Sequence, residues 1–175
     1  AFDGDVSIVD TSGSMSGTPM EVAIALGIIV GQAQSDGSPW KNRCLTFSTE
    51  PSWHSFKGDT LHSIVNGLKG EGRWQQSTNF AKAINMILKV CVDNNVSEQF
   101  LPRRMWCFTD MEFDASDNVS GGYYGYHGYR HNPQENGDKW QTAYVKMNRA
   151  FVEAGYKGCP GITFWNIRAS GGTTQ

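Results

Sequence analysis

The chain has 175 residues, 39% of them hydrophobic and 18% charged, with a formal net charge of −2. That length supports one domain with a sizeable core, and the composition is that of a folded chain rather than a disordered one. The slightly acidic balance gives no sign of nucleic-acid binding by bulk charge. No apolar run approaches the roughly 18 residues of a membrane span, and the N-terminus carries no basic-then-apolar signal segment.

The four cysteines, Cys44, Cys91, Cys107 and Cys159, are far apart and form no CxxC pair. Three sit in apolar runs, so they read as reduced thiols acting as small core residues, which predicts a cytoplasmic, intracellular setting. The abrupt start before an apolar segment and the soft tail "RASGGTTQ" predict a domain cut from a longer protein.

In chain order, Val6 to Val9 is a short β-branched run and reads as a strand. Thr18-Pro19-Met20-Glu21 has the form of a helix start, with Thr18 as cap, Pro19 at the first helical position and Glu21 completing a capping box. Along that helix Ala23, Gly27 and Gly31 share one face, flanked by Ile24 and Ile28. The glycines cost helix propensity, so the pattern predicts a helix lying very close to a sheet. Arg43 to Phe47 and Ser52 to Phe56 read as two strands paired as a hairpin. Leu61 to Leu68 reads as a short helix and "KGEGRWQQST" as a loop. Phe80, Ala83, Ile84, Ile87, Leu88 and Cys91 recur with helical period and predict a stripe buried against the sheet. Met105 to Phe108 is a strand. Trp140, Tyr144, Met147, Phe151 and Ala154 form a further helical stripe stopped by Gly155, and Ile162 to Ile167 is the last strand.

Alternation of this kind predicts one α/β domain over residues 1–175, with a mostly parallel central sheet. One biased segment falls within residues 115–137, rich in Gly and Tyr, and reads as an exposed loop insertion.

The stretch "VDTSGSMSG" concentrates small hydroxyls just where the first strand ends. In an open α/β sheet ligands bind beyond the C-terminal ends of the strands. Asp10, Ser12 and Ser14 follow at spacing two in the turn before the helix and can converge on one point, with Asp10 expected at the rim, outside the core. One carboxylate and two hydroxyls are hard oxygen ligands of the kind that suit Mg²⁺ or Mn²⁺. Thr78, before the third helix, and Asp110, after "MWCFT", belong to the same rim. Taken alone, the Asp10-Ser12-Ser14 triplet also fits a plain helix-capping turn.

Here a resemblance enters. "DTSGSMSG" resembles the Asp-x-Ser-x-Ser start of the metal-ion-dependent adhesion site of von Willebrand factor A domains, and Thr78 in "STNF" and Asp110 in "FTD" match that family's two later ligand positions. A narrower likeness joins "GTPMEVAIALG", "FTDMEFD" and "ITFWNIR" to a plant and protist family of unknown function, whose C-terminal domain is a von Willebrand A-type module akin to that of the Ro ribonucleoprotein. The resemblance implies a doubly wound, Rossmann-like domain with one antiparallel edge strand and helices on both faces. It implies one divalent ion, Mg²⁺ or else Mn²⁺ or Ca²⁺, held by Ser12, Ser14 and Thr78 with Asp10 and Asp110 direct or through water. An Asp or Glu carboxylate of a protein partner would complete the ion, making the module an intracellular interaction domain rather than an enzyme, with no direct contact to nucleic acid or membrane. The sequence departs from the family where Met111 replaces a glycine after Asp110, and the family's last strand and helix are expected beyond Gln175.

Other readings are weaker. "DMEFDASD" lacks the Gly and Glu of a calcium loop, and "GSMSGTP" lacks the Lys of a phosphate-binding loop. A metal-dependent phosphoesterase needs a second acid where Ser12 stands, and a ribonucleoprotein module would carry its RNA contacts elsewhere. Trp74 and Glu112 are candidate partner contacts, as are Tyr123, Tyr124 and Tyr126 in the Gly/Tyr loop, where rigid rings gain contact area at low entropic cost.

Overall fold

Residue-by-residue alternation in the central strand shows how the layers are arranged. The computed structural model describes residues 2–47, 50–56, 60–70, 80–110 and 144–167. Strand β1 (Val6–Asp10) is buried along its whole length, as a strand covered on both faces must be. Val6 and Ile8 enter one core cluster and Val9 enters another. In β2 (Arg43–Phe47) and β4 (Arg104–Thr109) the same split recurs. Leu45, Phe47, Met105 and Cys107 join Val6 and Ile8, whereas Cys44 and Phe108 join Val9. The period of two puts these sets on opposite faces of the sheet.

With β3 (Ser52–Ser55) and β5 (Gly161–Asn166) the sheet has five strands in the order β3-β2-β1-β4-β5. All neighbouring pairs are parallel except β2 with β3, so the antiparallel strand lies at an edge. The fold is therefore α/β with a mixed, mostly parallel sheet. Helix α3 (Phe80–Asp93) and residues 144–153, helix α4, fill the first cluster through Phe80, Ala83, Ile84, Ile87, Cys91, Met147 and Phe151. Helices α1 (Thr18–Gln32) and α2 (Leu61–Gly70) fill the second through Met20, Ala23, Ile24, Ile28, Ile64 and Leu68.

The small-residue face of α1 does what its sequence predicts. A Cβ on Gly27 would stand 2.5 Å from Val9 Cγ2, and one on Gly31 would stand 2.6 Å from the Arg43 carbonyl oxygen. Ser7 Oγ donates to the Gly27 carbonyl at 3.1 Å, a contact that only a helix pressed onto β1 allows. The helix start differs from expectation. Gly17, at φ 88°, is the capping residue, Thr18 already lies inside the helix, and no side chain caps it. A left-handed glycine turns the chain there, so no capping box is needed.

The strands run slightly beyond or short of their predicted limits, as element ends do. Leu88 is only partly buried, and of the second stripe Tyr144 and Ala154 are exposed, Met147 and Phe151 are buried, and Trp140 lies outside the described residues. All four cysteines are free thiols, Cys44, Cys91 and Cys107 buried and Cys159 half-buried. No helix among the described residues is long and apolar enough to cross a membrane.

Candidate functional site

β1 ends in Asp10, and the chain does not simply continue upward. Thr11 is stitched to the end of β2, its amide and its hydroxyl both donating to the Phe47 carbonyl at 3.0 and 3.3 Å. Asp10 Oδ1 accepts the Ser12 amide at 2.9 Å, an aspartate turn that bends the chain back over its own strand end. A single 3-10 turn, Gly13–Met15, follows, closed by the Met15 and Ser16 amides on the Ser12 and Gly13 carbonyls. Met15 is fully buried in the α1-side core. That buried methionine pins the turn, and the hydroxyls crowded around it mask it in the sequence. Its signal is a lone large apolar residue inside a Ser/Gly run.

The turn brings Ser12 Oγ and Ser14 Oγ to 3.0 Å from each other. Ser12 is buried and Ser14 half-buried. Neither 3-10 turn nor α1 uses a side chain as its cap, so the capping explanation for the dense hydroxyls does not account for Ser12.

Asp10 is not at an exposed rim, as expected from sequence; it is fully buried. Its Oδ2 accepts the Thr109 hydroxyl at 2.6 Å. Thr109 ends β4, the strand paired with β1 in the register Val9 to Phe108, and was missed because a threonine in a strand reads as ordinary sheet surface. Burial pushes the Asp10 carboxyl up from the usual carboxylate range. The hydrogen bonds from Ser12 and Thr109 pull it back, while the negative charge of Asp110 pushes it further up. Asp110 itself is buried at the residue following β4. Two carboxylates and two hydroxyls thus converge at the C-terminal ends of adjacent parallel strands.

Of the residues predicted from sequence, Asp10, Ser12, Ser14 and Asp110 are gathered at this end of the sheet. Thr78, Trp74, Glu112, Tyr123, Tyr124 and Tyr126, with the loop of residues 115–137, lie outside the described residues. No group of three or more His, Cys, Asp or Glu side chains is clustered among the described residues; a site of two acids and several hydroxyls is not of that kind. His54 is on the edge hairpin, its Nε2 within 2.8 Å of Thr46 Oγ1 and 3.0 Å of Ser52 Oγ.

Comparison with known proteins adds relatives. The chain is 32% identical over 169 residues to "Uncharacterized protein L728" of Acanthamoeba polyphaga mimivirus, covering 97% of this chain. It spans only 26% of that relative's length. The family described as "Domain of unknown function (DUF7788)" matches residues 5–175, so the chain, with its hydroxyl-and-carboxylate turn, belongs to that family.

Proposed function

We propose that the domain is a divalent-metal-dependent protein-interaction module of the metal-ion-dependent adhesion type, with a doubly wound von Willebrand A-like arrangement. The observation that carries this reading is the 3.0 Å approach of Ser12 Oγ and Ser14 Oγ above a buried Asp10. At Mg–O distances of about 2.0–2.1 Å, neighbouring ligands of an octahedron stand about 2.9 Å apart. The two hydroxyls, which share a hydrogen bond, already have nearly that spacing. All donors are hard oxygens, which suits Mg²⁺ first and Mn²⁺ or Ca²⁺ after it.

The chain's own groups divide the work. Ser12 and Ser14 would ligate directly, with Thr78 as a further hydroxyl. Both oxygens of Asp10 are engaged, one by the Ser12 amide and one by Thr109. Asp10 therefore serves best by fixing the turn and acting through water, with Asp110 beside it. A bound ion would supply a positive charge that two carboxylates and neutral hydroxyls do not quench at close range, and so an acceptor site for an Asp or Glu of a protein partner. That is recognition, not catalysis. Ser12, where a phosphoesterase would carry its second acid, argues in the same direction. The free, buried thiols suit an intracellular setting.

The reading is tested by calorimetric titration of the domain with Mg²⁺ and Mn²⁺, and by affinity capture with and without EDTA. One ion per chain and partners released by EDTA are expected. A chain that takes up neither ion overturns the proposal.

A further inference from the structure

At the opposite end of the sheet, where β1 and β4 begin, Phe2, Asp5, Arg103, Arg104 and Trp106 line a cavity of about 250 Å³. Its walls are held by specific contacts. The Asp5 carboxylate, buried at the floor, accepts the Trp106 indole N–H at 2.8 Å. Phe2 packs edge-on against the Trp106 ring. Arg104 lies over the same ring, 5.2 Å from its centroid. The Arg103 stem rests on Gly4, where a Cβ would meet it at 3.0 Å. Its amide and guanidinium bond the Gly4 and Asp3 carbonyls.

These contacts orient two guanidinium groups. Among the described residues no carboxylate forms an ion pair with Arg103 or Arg104. The nearby acids make their hydrogen bonds elsewhere, Asp5 with Trp106 and Asp3 with the Ser35 amide and hydroxyl at 2.7 and 2.8 Å; those Ser35 bonds, with a smaller contribution from the Arg103 charge, hold the Asp3 carboxyl below its ordinary range. Each guanidinium carries five donors in a fixed fork that matches an oxyanion. Asp5 in the lining offsets one of the two charges; a carboxylate has two oxygens and fills one fork, whereas a phosphate has oxygens enough to accept from both.

We infer that this cavity is a binding site for a small phosphate-bearing molecule, separate from the hydroxyl site and requiring no metal there. Arg103 and Arg104 grip the phosphate. Phe2 and Trp106 provide an apolar wall for the group attached to it.

The test is an NMR titration of the Trp106 indole N–H, assigned with Trp106→Phe, in EDTA and at constant ionic strength. The probes are inorganic phosphate, glycerol phosphate and acetate. Saturable shifts with phosphate at least tenfold tighter than with acetate are expected. They should weaken at least tenfold in Arg103→Gln and in Arg104→Gln, both exposed and checked for an unchanged melting temperature. Tighter binding of glycerol phosphate assigns a phosphomonoester, and equal binding assigns free phosphate. No saturable shift, the same affinity for acetate, or undiminished binding in both arginine variants overturns the inference.

Discussion

Thr109 Oγ1 donates to Asp10 Oδ2 at 2.6 Å across the β1–β4 pair, wholly out of water. The bond ties the last residue of one parallel strand to the last of its neighbour, and it aims the carboxylate whose other oxygen holds the Ser12 amide. Thr109→Val keeps the shape and removes the donor. It should lower stability by about 1–3 kcal/mol, the usual penalty for a buried polar group left unpaired, and weaken Mg²⁺ binding at least tenfold. Thr109→Ser should restore both. Equal Mg²⁺ affinity in the valine variant, by calorimetry, would show that Asp10 needs no such alignment.

Asp10→Asn and Asp10→Ala should separate. The amide can accept from the Ser12 N–H and donate to the Thr109 hydroxyl, which turns its own proton away. The asparagine variant should therefore fold with a stability within about 1 kcal/mol of the parent, yet bind no divalent ion. The alanine variant orphans the Ser12 amide and should lose about 1–3 kcal/mol more. Urea denaturation of the two variants is the check, and equal losses would mean that the turn does not depend on that acceptor.

Gly27→Ala places a Cβ 2.5 Å from Val9 Cγ2. Alanine gains up to about 1 kcal/mol of helix propensity over glycine, but overpacking costs about 1–3 kcal/mol, and valine is stiff at χ1. The net effect should be destabilising. Adding Val9→Ala should recover part of the loss, so the two changes should be non-additive. A stabilised single variant would show that α1 can lift off the sheet at no cost.

The buried thiols set an alkaline limit. Burial pushes Cys44 and Cys159 up to about 12 and Cys91 up to about 11, against 9.0 for an ordinary thiol. Above pH 9 the unfolded chain gives up protons that the folded chain keeps. Stability is therefore full below pH 9 and falls as pH rises toward 11 or 12, by up to about 1.4 kcal/mol per pH unit for a fully buried thiol. Urea midpoints at pH 8 and pH 10 should drop less steeply in Cys44→Ala than in the parent. The same thiols should resist alkylation in the native state at pH 8 and react once urea unfolds the chain.

Much of this was legible in the sequence because it is written in periods and spacings. The stripe from Phe80 to Cys91 announced its helix, and Ala23, Gly27 and Gly31 announced a close approach. The spacing of Asp10, Ser12 and Ser14 announced a converging turn. What was hidden depends on tertiary neighbours. Thr109 matters only because β4 pairs with β1, and no local pattern reports that pairing. A strand end is usually wet, so the sequence alone puts Asp10 at a rim; here Thr11 and Met15 fold the turn over it. Arg103 and Arg104 belong to no sequence pattern; only the fold sets them beside Phe2, Asp5 and Trp106.

The tight seating of α1 has a consequence for how the two ends of the molecule communicate. The helix begins just after the hydroxyl turn and ends by Gln34, whose side chain bonds the Phe2 carbonyl at 2.7 Å and the Gly4 amide at 2.8 Å. Those residues belong to the segment that walls the arginine cavity. Because α1 is packed closely against Val9 and Arg43, a tilt of the helix at the turn would displace that wall. Occupancy at either end should then alter affinity at the other, and by the same factor in both directions. Adding Mg²⁺ should move the Gln34 side-chain amide and Trp106 indole resonances in the parent and leave them still in Asp10→Asn. If they stay fixed in the parent while the ion binds, the ends work independently.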